Sequence, residues 1–229
     1  MRNYGQNKQN VRKPWLITSI IIFINIFVFI LTVILRISYG EKVYTYLALY
    51  PENILHGMYL WTLVTHMFIH ASALHLLVNM FALYSLGTLS EKIIGRKRFT
   101  WFYLISGIFA GLLSCLLAGL YGYGFWAKVF GTSTMYMVGA SGAIFAVAGL
   151  FVVLLPKMRF SIIFIPFFSL PGYIMVPLVL IIMWAASIAA NLPIGNVAHF
   201  GGFFAGLIYG YYLRVKYRKK IKMLERYFQ

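Results

Sequence analysis

Two short glycine-containing runs, far apart in the chain, hold a serine and a histidine that could act as a nucleophile and its base. Ser141 lies in the run GASG at 139–142, and His199 lies in the run AHFGG at 198–202. Serine is a weak nucleophile until a neighbouring base takes its proton, and histidine is the usual base because it titrates near neutral pH. The pair indicates acyl-transfer chemistry, in which Ser141 attacks a carbonyl carbon and His199 moves the proton.

Acyl transfer also needs hydrogen-bond donors for the oxyanion that forms, and His75 and Asn79 are the candidates. They are four residues apart, so they lie on one face of a helix. The backbone N–H of Ser141, at the start of a predicted helix, would supply a further donor. Removing one such donor typically lowers a rate about 10²–10³-fold.

No carboxylate is placed to orient His199. The chain has no aspartate, and its glutamates are Glu41, Glu52, Glu91 and Glu225. The first two are predicted in an outer loop and the last two on the inner side of the membrane. We therefore predict a Ser–His dyad rather than a triad, with the imidazole oriented by packing, for which Phe145, one helical turn after Ser141, is the candidate.

Each of these residues also has a structural interpretation. A serine between small residues at a helix start often serves as a cap, and a lone buried histidine often only bridges helices. His66 and His70, with His75 following, could be metal ligands, but no cysteine or nearby acid completes a set. We predict that His66 and His70 hydrogen-bond the first outer loop and cap the second span. No metal or other cofactor is expected.

The composition is that of a membrane protein. The 229 residues are 62% hydrophobic and only 10% charged, against roughly 25% charged in soluble domains. The longest stretch without a charged residue, Phe160 to Leu213, has 54 residues, which is enough for two helices that each need about 20 residues to cross the bilayer. The sequence thus predicts an all-α membrane protein.

Six transmembrane helices are predicted, with boundaries at 15–36, 63–88, 100–122, 139–156, 173–190 and 198–214. The first is interpreted as a retained span, because its apolar run exceeds the roughly 7–15 residues of a signal peptide. The chain then divides into a basic cytoplasmic N-terminal segment at 1–14, one six-span domain at 15–214 and a basic cytoplasmic tail at 215–229.

The distribution of charge predicts the orientation of these spans. With the amino terminus inside, seventeen of the twenty basic residues lie on the inner side, and positive-inside asymmetry then places both termini in the cytoplasm. Basic residues next to spans are membrane anchors by default, which argues against a nucleic-acid partner despite the net charge of +16. Spans two, four and six all begin at the outer face, so the candidate site residues share that face.

Glycines suggest how the two candidate catalytic residues could meet. Gly202, Gly206 and Gly210 follow His199 by three, seven and eleven residues, on the same helical face. Small residues let helix backbones approach closely in lipid. The fourth span offers small residues in return, so the spans that carry Ser141 and His199 are expected to pack together.

Three connecting features have less specific interpretations. The stretch 157–172 is too interrupted by prolines for a span, and it is predicted to lie at the inner membrane interface. The aromatic-rich first connection, 37–62, is predicted to pack on the outer surface, with contact to a substrate as the minority alternative. Cys115 is expected to serve in packing.

The motifs resemble those of the rhomboid family. The run at 139–142 is similar to its GxSG signature, Ala198-His199 with Gly202 and Gly206 is similar to AHxxGxxxG, and 75–79 is similar to HxxxN. The resemblance runs in order from about Trp61 to Tyr211. It departs in the first loop, where the Trp-Arg pair of the family is replaced by Trp61-Thr62.

The resemblance implies a six-span rhomboid bundle and an intramembrane serine endopeptidase of the cell membrane. Such an enzyme cleaves single-span membrane proteins at or just below the outer surface, without metal or nucleotide. Ser141 would be the nucleophile, His199 the base, His75 and Asn79 the oxyanion donors, and Phe145 the aromatic residue that packs on the histidine. Gly139 belongs to the serine motif, and Trp184 would be a gating aromatic on span five.

Two other functions are considered. A non-catalytic rhomboid relative would bind membrane proteins without cutting them, but it needs neither Ser141 nor His199. A transporter or channel would be expected to show an intramembrane acid or a repeat of broken helices, and neither is visible. The partners expected for a protease are transmembrane protein substrates, entering laterally beside span five, and the lipid bilayer.

Overall fold

The structure is a computed structural model that describes residues 16–162, 165–192 and 194–228. The described helices are, in chain order, α1 (Ile17–Tyr39), α2 (Lys42–Leu47), α3 (Pro51–Leu55), α4 (Thr62–Thr65), a 3-10 turn (His66–Phe68), α5 (Ala73–Ala82), a π-helical turn (Leu83–Gly87), α6 (Thr88–Ile94), α7 (Arg96–Tyr121), α8 (Trp126–Phe130), α9 (Ser141–Leu154), α10 (Gly172–Ala190), α11 (Asn196–Lys216) and α12 (Arg218–Tyr227). The basic segment predicted at 1–14 and the start of the first span at Trp15 lie outside the described residues.

Within the described residues, four helices are long and apolar enough to cross a membrane. They are Ile17–Tyr39, the continuous helix Ala73–Ile94, Arg96–Tyr121 and Gly172–Ala190. The fourth predicted span corresponds to α9, a shorter apolar helix of 14 residues, and the sixth corresponds to α11. The helical, multi-span architecture is therefore as predicted, whereas the crossing of the membrane by α9 and α11 stays a prediction.

The second span begins ten residues later than predicted. The apolar stretch from Leu63 was expected to be continuous with the span, but it forms α4 and the 3-10 turn, and the long helix starts only at Ala73. Ser72 ends the preceding loop in extended backbone, and its side chain accepts a hydrogen bond of 3.2 Å from the N–H of His75. This N-cap breaks a hydrophobic pattern that would otherwise extend the helix.

Helix α9 lies at the centre of the bundle, with ten of its 14 residues buried, and it packs closely on α11. A methyl group on Gly202 would lie 1.9 Å from the carbonyl oxygen of Gly142, and one on Gly206 would lie 2.0 Å from that of Ala146. Only glycine fits at these two positions, so the backbones of the two helices are in contact. The predicted packing of the fourth and sixth spans is present.

Helix α1 attaches to the bundle through polar residues at seven-residue spacing. Thr18, Asn25 and Thr32 are buried, while most of the apolar side chains of this helix are exposed. The carboxylate of the buried Glu91 accepts hydrogen bonds of 2.8 Å from the N–H groups of Ile17 and Thr18. An acid from another helix thus caps the start of α1 and satisfies donors that the helix itself leaves free.

The stretch predicted as an irregular interfacial segment, 157–172, contains a β-hairpin. Strand β1 (Arg159–Ile162) pairs antiparallel with β2 (Ile165–Pro171). The all-α class therefore needs this correction, because successive β-branched and aromatic residues here favour strand pairing once prolines exclude a helix.

The basic tail predicted at 215–229 is mostly helical. Within it, α12 packs Ile221 and Leu224 against the core of the bundle. The spacing of these two residues gives the helix one apolar face. The described part of the tail therefore packs on the bundle instead of extending away from it.

Candidate active site

The hydroxyl oxygen of Ser141 lies 2.8 Å from Nε2 of His199, within hydrogen-bond distance. Ser141 is the first residue of α9 and follows the N-cap residue Ala140. His199 lies in the first turn of α11 and is buried. The glycine contact between the two helices, one turn further along α11, brings these side chains together as the sequence predicted.

The imidazole of His199 is held by an aromatic ring and by its helix. The ring centroids of Phe145 and His199 are 4.8 Å apart, with an interplanar angle of 37°. The other ring nitrogen, Nδ1, is buried and has no hydrogen-bond partner among the described residues. No carboxylate among the described residues hydrogen-bonds Nδ1 of this histidine, and the Ser–His dyad stays a prediction.

Gly139 brings the backbone that precedes Ser141 against the ring of His75. Its φ angle is 119°, and a methyl group here would lie 2.8 Å from Cε1 and 2.9 Å from Nε2 of His75. Its N–H donates to the carbonyl oxygen of His66 over 2.9 Å. Glycine is required both for this backbone conformation and for the close approach.

Asn79 lies beside His75 on α5, as their spacing predicted, and is buried. Its Nδ2 donates to the carbonyl oxygen of His75 over 3.0 Å, and it lies 3.8 Å from where a methyl group on Gly139 would be. An amide group has two N–H donors, so one is used inside α5 and the other is available towards the loop before Ser141. His75 and Asn79 are thus adjacent to that loop.

His66 and His70 have structural surroundings. Nδ1 of His66 lies 2.8 Å from the carbonyl oxygen of Thr62, and its ring packs against Gly111 of α7, where a methyl group would lie 3.1 Å from Cε1. His70 is buried with its ring centroid 5.0 Å from that of His75. Neither histidine caps the second span, contrary to the prediction, because Ser72 does so.

Among the described residues, no group of three or more histidine, cysteine or acidic side chains could hold a metal ion. His70 also has no hydrogen-bond partner on either ring nitrogen within that part of the chain. Its contact with His75 is therefore through the rings, as an edge-to-face pair with an interplanar angle of 69°.

The first connection supports the loop that leads to Ser141. The backbones of Leu49 and Met137 exchange two hydrogen bonds, of 3.0 and 2.7 Å. Trp61 anchors the other end of the connection, because its Nε1 donates to the carbonyl oxygen of Tyr46 over 2.8 Å. The chain thus ties this connection down through Trp61 without the arginine that follows it in the family motif. Cys115 packs beneath the connection, against Leu49 and Ile54.

A polar link between α10 and α11 was not predicted from the sequence. Nδ2 of Asn196 lies 2.5 Å from Oγ of Ser187, and both residues are buried. The signal was available, since Asn196 precedes His199 by three residues and is one of few polar residues in the long uncharged stretch. This link connects the end of α10 to the turn that carries His199.

Trp184, predicted as a gating aromatic, contacts two other elements. Its ring centroid lies 4.7 Å from that of Phe200 on α11, and its Nε1 donates to the carbonyl oxygen of Val129 on α8 over 3.1 Å. Trp184 therefore joins α10 to both neighbours at the end of the bundle where Ser141 lies. A gating role stays a prediction.

Comparison with known proteins identifies similar chains. A family model described as Rhomboid domain matches residues 58–216. RHOMBOID-like protein 7 of Arabidopsis thaliana is 30% identical over 163 residues, which are 71% of this chain and 46% of that protein. Rhomboid protease GlpG of Haemophilus influenzae is 26% identical over 167 residues, 72% of this chain and 76% of that protein.

Rhomboid protein 1, mitochondrial, of Saccharomyces cerevisiae is 33% identical over 149 residues, 64% of this chain and 40% of that protein. The chain thus matches about half, or less, of the length of its plant and yeast relatives. The matched region contains the candidate site and all the helices from α4 to α11.

Proposed function

Because the chain belongs to the rhomboid family and is a multi-pass membrane protein, we propose that it is an intramembrane serine endopeptidase. Its substrates would be single-span membrane proteins, cut near the outer membrane face. The observation that carries this proposal is the 2.8 Å contact between Oγ of Ser141 and Nε2 of His199. A serine in contact with a base is what nucleophilic catalysis requires.

In the first step, Ser141 attacks the carbonyl carbon of the scissile peptide bond. The bond from Oγ to carbon forms while the serine proton moves to Nε2 of His199, so the neutral imidazole must carry its own proton on Nδ1. Phe145 packs against the ring and limits its rotation. This packing takes the place that a carboxylate has in a triad.

The negative charge that develops on the carbonyl oxygen would be stabilised by donors around Gly139. The backbone N–H of Ser141 is at a helix start and has no intrahelical partner, and the side chains of His75 and Asn79 are adjacent to the same loop. When the tetrahedral intermediate collapses, the carbon–nitrogen bond breaks. His199 then gives its proton to the leaving nitrogen.

A water molecule completes the reaction by hydrolysing the acyl-enzyme ester. His199 takes a proton from the water as it attacks, and the ester oxygen leaves as the Ser141 hydroxyl after regaining that proton. The polar side chains of His66, His70, His75 and Asn79 would form the route by which water enters an otherwise apolar bundle. The substrate itself would arrive from the lipid, between α5 and α10.

The orientation proposed for this enzyme follows from its basic residues. Seventeen of twenty lie on the side assigned to the cytoplasm, together with both termini, and we propose the cell membrane as the location. Fusion of a reporter that is active only in the cytoplasm to either terminus tests this. If the reporter is inactive at both termini, both termini lie outside the cytoplasm and the proposed orientation is wrong.

The test of function is cleavage of a single-span model substrate by the purified protein in liposomes. Ser141→Ala and His199→Ala should each abolish cleavage. Ser114→Ala and His56→Ala are matched controls and should retain it, because Ser114 bonds only within its own helix and His56 bonds within the first connection. Activity that survives Ser141→Ala would exclude this serine as the nucleophile. Retention of substrate without cleavage by the unmodified protein would favour a binding function.

A further inference from the structure

A basic cleft lies at the end of the bundle opposite Ser141, where α9 ends and α12 packs. It is lined by Leu155, Pro156, Lys157, Met158, Arg214, Glu225 and Phe228, and has a volume of about 250 Å³. A second cavity, which adds Arg159, shares Lys157, Met158 and Phe228 with the first. The two form one open depression, called here the basic cleft, between the start of the β-hairpin and the C-terminal helix.

The charge of the basic cleft is almost wholly positive. Glu225 is the only acidic residue from 157 to 228, and it forms an ion pair of 2.8 Å with Arg214. Arg214 also donates to the carbonyl oxygen of Val153, so its position is fixed from two sides. Among the described residues that line the cleft, the only carboxylate is therefore already neutralised by Arg214.

Lys157 is a cation of the cleft that forms no ion pair within the part of the chain that the structure describes. It is exposed. Arg159 nearby donates through its guanidinium to Ser169 of the opposite strand. That contact stabilises the hairpin but leaves the positive charge of Arg159 uncompensated, so two unneutralised cations flank the opening.

Helix α12 adds to this charge from the other side. Its apolar face is used against the bundle, where Ile221 is buried. Its exposed residues include Lys219, Lys220 and Lys222. Because the apolar face of α12 packs on the bundle, its basic face points away from the bundle, beside the cleft.

Apolar side chains are exposed on the hairpin and on α12, the two elements that also carry exposed cations. Phe167 in β2 is completely exposed, and Phe168 and Met223 are 44% and 71% exposed. In water such exposure is unfavourable, whereas at the boundary of a bilayer apolar groups enter the lipid while lysine and arginine reach the headgroups. The mixture of uncompensated cations and exposed apolar groups fits a surface that contacts lipid at headgroup depth.

We propose that the basic cleft binds the headgroup of an anionic phospholipid, with Lys157 as a principal contact of the phosphate. A phosphate between Lys157 and Arg159 would supply the missing counter-charge, and the acyl chains would lie along the exposed apolar groups of the hairpin. Basic pockets at the end of a helical bundle are suited to such headgroups. This site lies beyond Leu154, the last residue of α9, whereas Ser141 is the first residue of that helix. The site does not depend on the proposed protease activity.

The test is a titration of the purified full chain in neutral detergent with dioleoylphosphatidylglycerol or dioleoylphosphatidylcholine. Native mass spectrometry counts the lipids retained. The wild type should retain the anionic lipid in preference to the zwitterionic one. Lys157→Gln should lower the apparent affinity for phosphatidylglycerol about fivefold, since one cation near a membrane surface contributes on the order of 1 kcal/mol, and Lys157→Arg should preserve it.

Lys128→Gln is the matched control, because Lys128 is also an exposed lysine but lies in α8 at the opposite end of the bundle. It should bind phosphatidylglycerol as the wild type does. An equal loss in Lys128→Gln would mean non-specific charge attraction and would overturn the proposal. Retention of both lipids alike, or displacement of the bound lipid by an equal concentration of inorganic phosphate, would overturn it as well.

Discussion

Gly202 in α11 touches the backbone of Gly142 in α9 so closely that a methyl group on Gly202 would lie 1.9 Å from the carbonyl oxygen of Gly142. Each glycine is near a residue of the candidate dyad, since Gly142 follows Ser141 and Gly202 follows His199 by one helical turn. The obstacle is backbone rather than a flexible side chain, so it cannot move aside. The distance between the two helices therefore determines whether Ser141 and His199 can meet.

Gly202→Ala should separate the two helices and abolish proteolysis. Overpacking of a rigid contact typically costs about 1–3 kcal/mol, so we expect a lower unfolding midpoint in detergent together with loss of cleavage. Gly195→Ala is the control, because among the described residues its methyl group would meet only the side chain of Ala198, at 3.9 Å. Wild-type cleavage by Gly202→Ala would contradict the argument that helix spacing positions the dyad.

Gly139→Ala should lower cleavage at least about 100-fold by displacing His75, whose ring would be only 2.8 Å from the new methyl group. An alanine is also strained by a positive φ angle alone, so the control must be another glycine with positive φ. Gly131 has a φ of 81° and open space around it. The variant Gly131→Ala should therefore introduce the backbone strain without a steric clash. Equal losses of cleavage in the two variants, measured as kcat, would show that the contact with His75 is not needed.

Phe145→Leu should lower kcat about tenfold and leave KM unchanged, because the ring of His199 would lose the aromatic contact that limits its rotation. Phe145→Tyr keeps the ring and should remain close to wild type. Phe102→Leu is the matched control, since Phe102 stacks on Tyr209 at 4.8 Å and away from the dyad. A rise in KM without a change in kcat would instead place Phe145 in substrate binding.

Much of the site could be predicted from the sequence because its residues carry unusual chemistry for a bilayer. Ser141, His199, His75 and Asn79 stood out as polar residues in apolar surroundings, and the glycine spacing after His199 predicted which helices pack. Long apolar segments are also easily recognised, which is why the long helices were identified with small errors at their ends, except in the second span, which extends from Ala73 to Ile94 instead of 63–88.

Other features depend on contacts that no local pattern contains. The start of the second span was misplaced because Ser72, a single N-cap, interrupts an apolar run that has no other break. The hairpin β1–β2 depends on pairing between two segments, and the role of Glu91 depends on where α1 begins. Such tertiary partners are visible only once the chain has folded.

Asn196→Ala should impair proteolysis through the position of His199 rather than through the chemistry itself. Asn196 donates to Ser187 over 2.5 Å, and Ser187 in turn donates to the carbonyl oxygen of Trp184 over 2.8 Å. We expect Asn196→Ala and Ser187→Ala each to lower kcat several-fold, and the double variant to lower it by about the same factor. The effects of substitutions within one hydrogen-bond network are not additive. Additive losses would show that the two residues act separately. Ser106→Ala, which removes a hydroxyl bonded only within α7, controls for the general loss of a buried polar group.

Cross-linking the continuous helix α5–α6 to α10 should abolish cleavage of membrane substrates if they enter between these helices. Leu86 packs against the cluster that contains Val176 and Leu180 of α10, so cysteine pairs are placed at Leu86 with either residue. Cys115 is the only native cysteine, and Cys115→Ser gives a clean background. Oxidation should stop cleavage and a reductant should restore it, whereas each single-cysteine variant should be insensitive to both. Full activity of the oxidised, cross-linked protein would exclude this route, since α10 could then not move away from its neighbour.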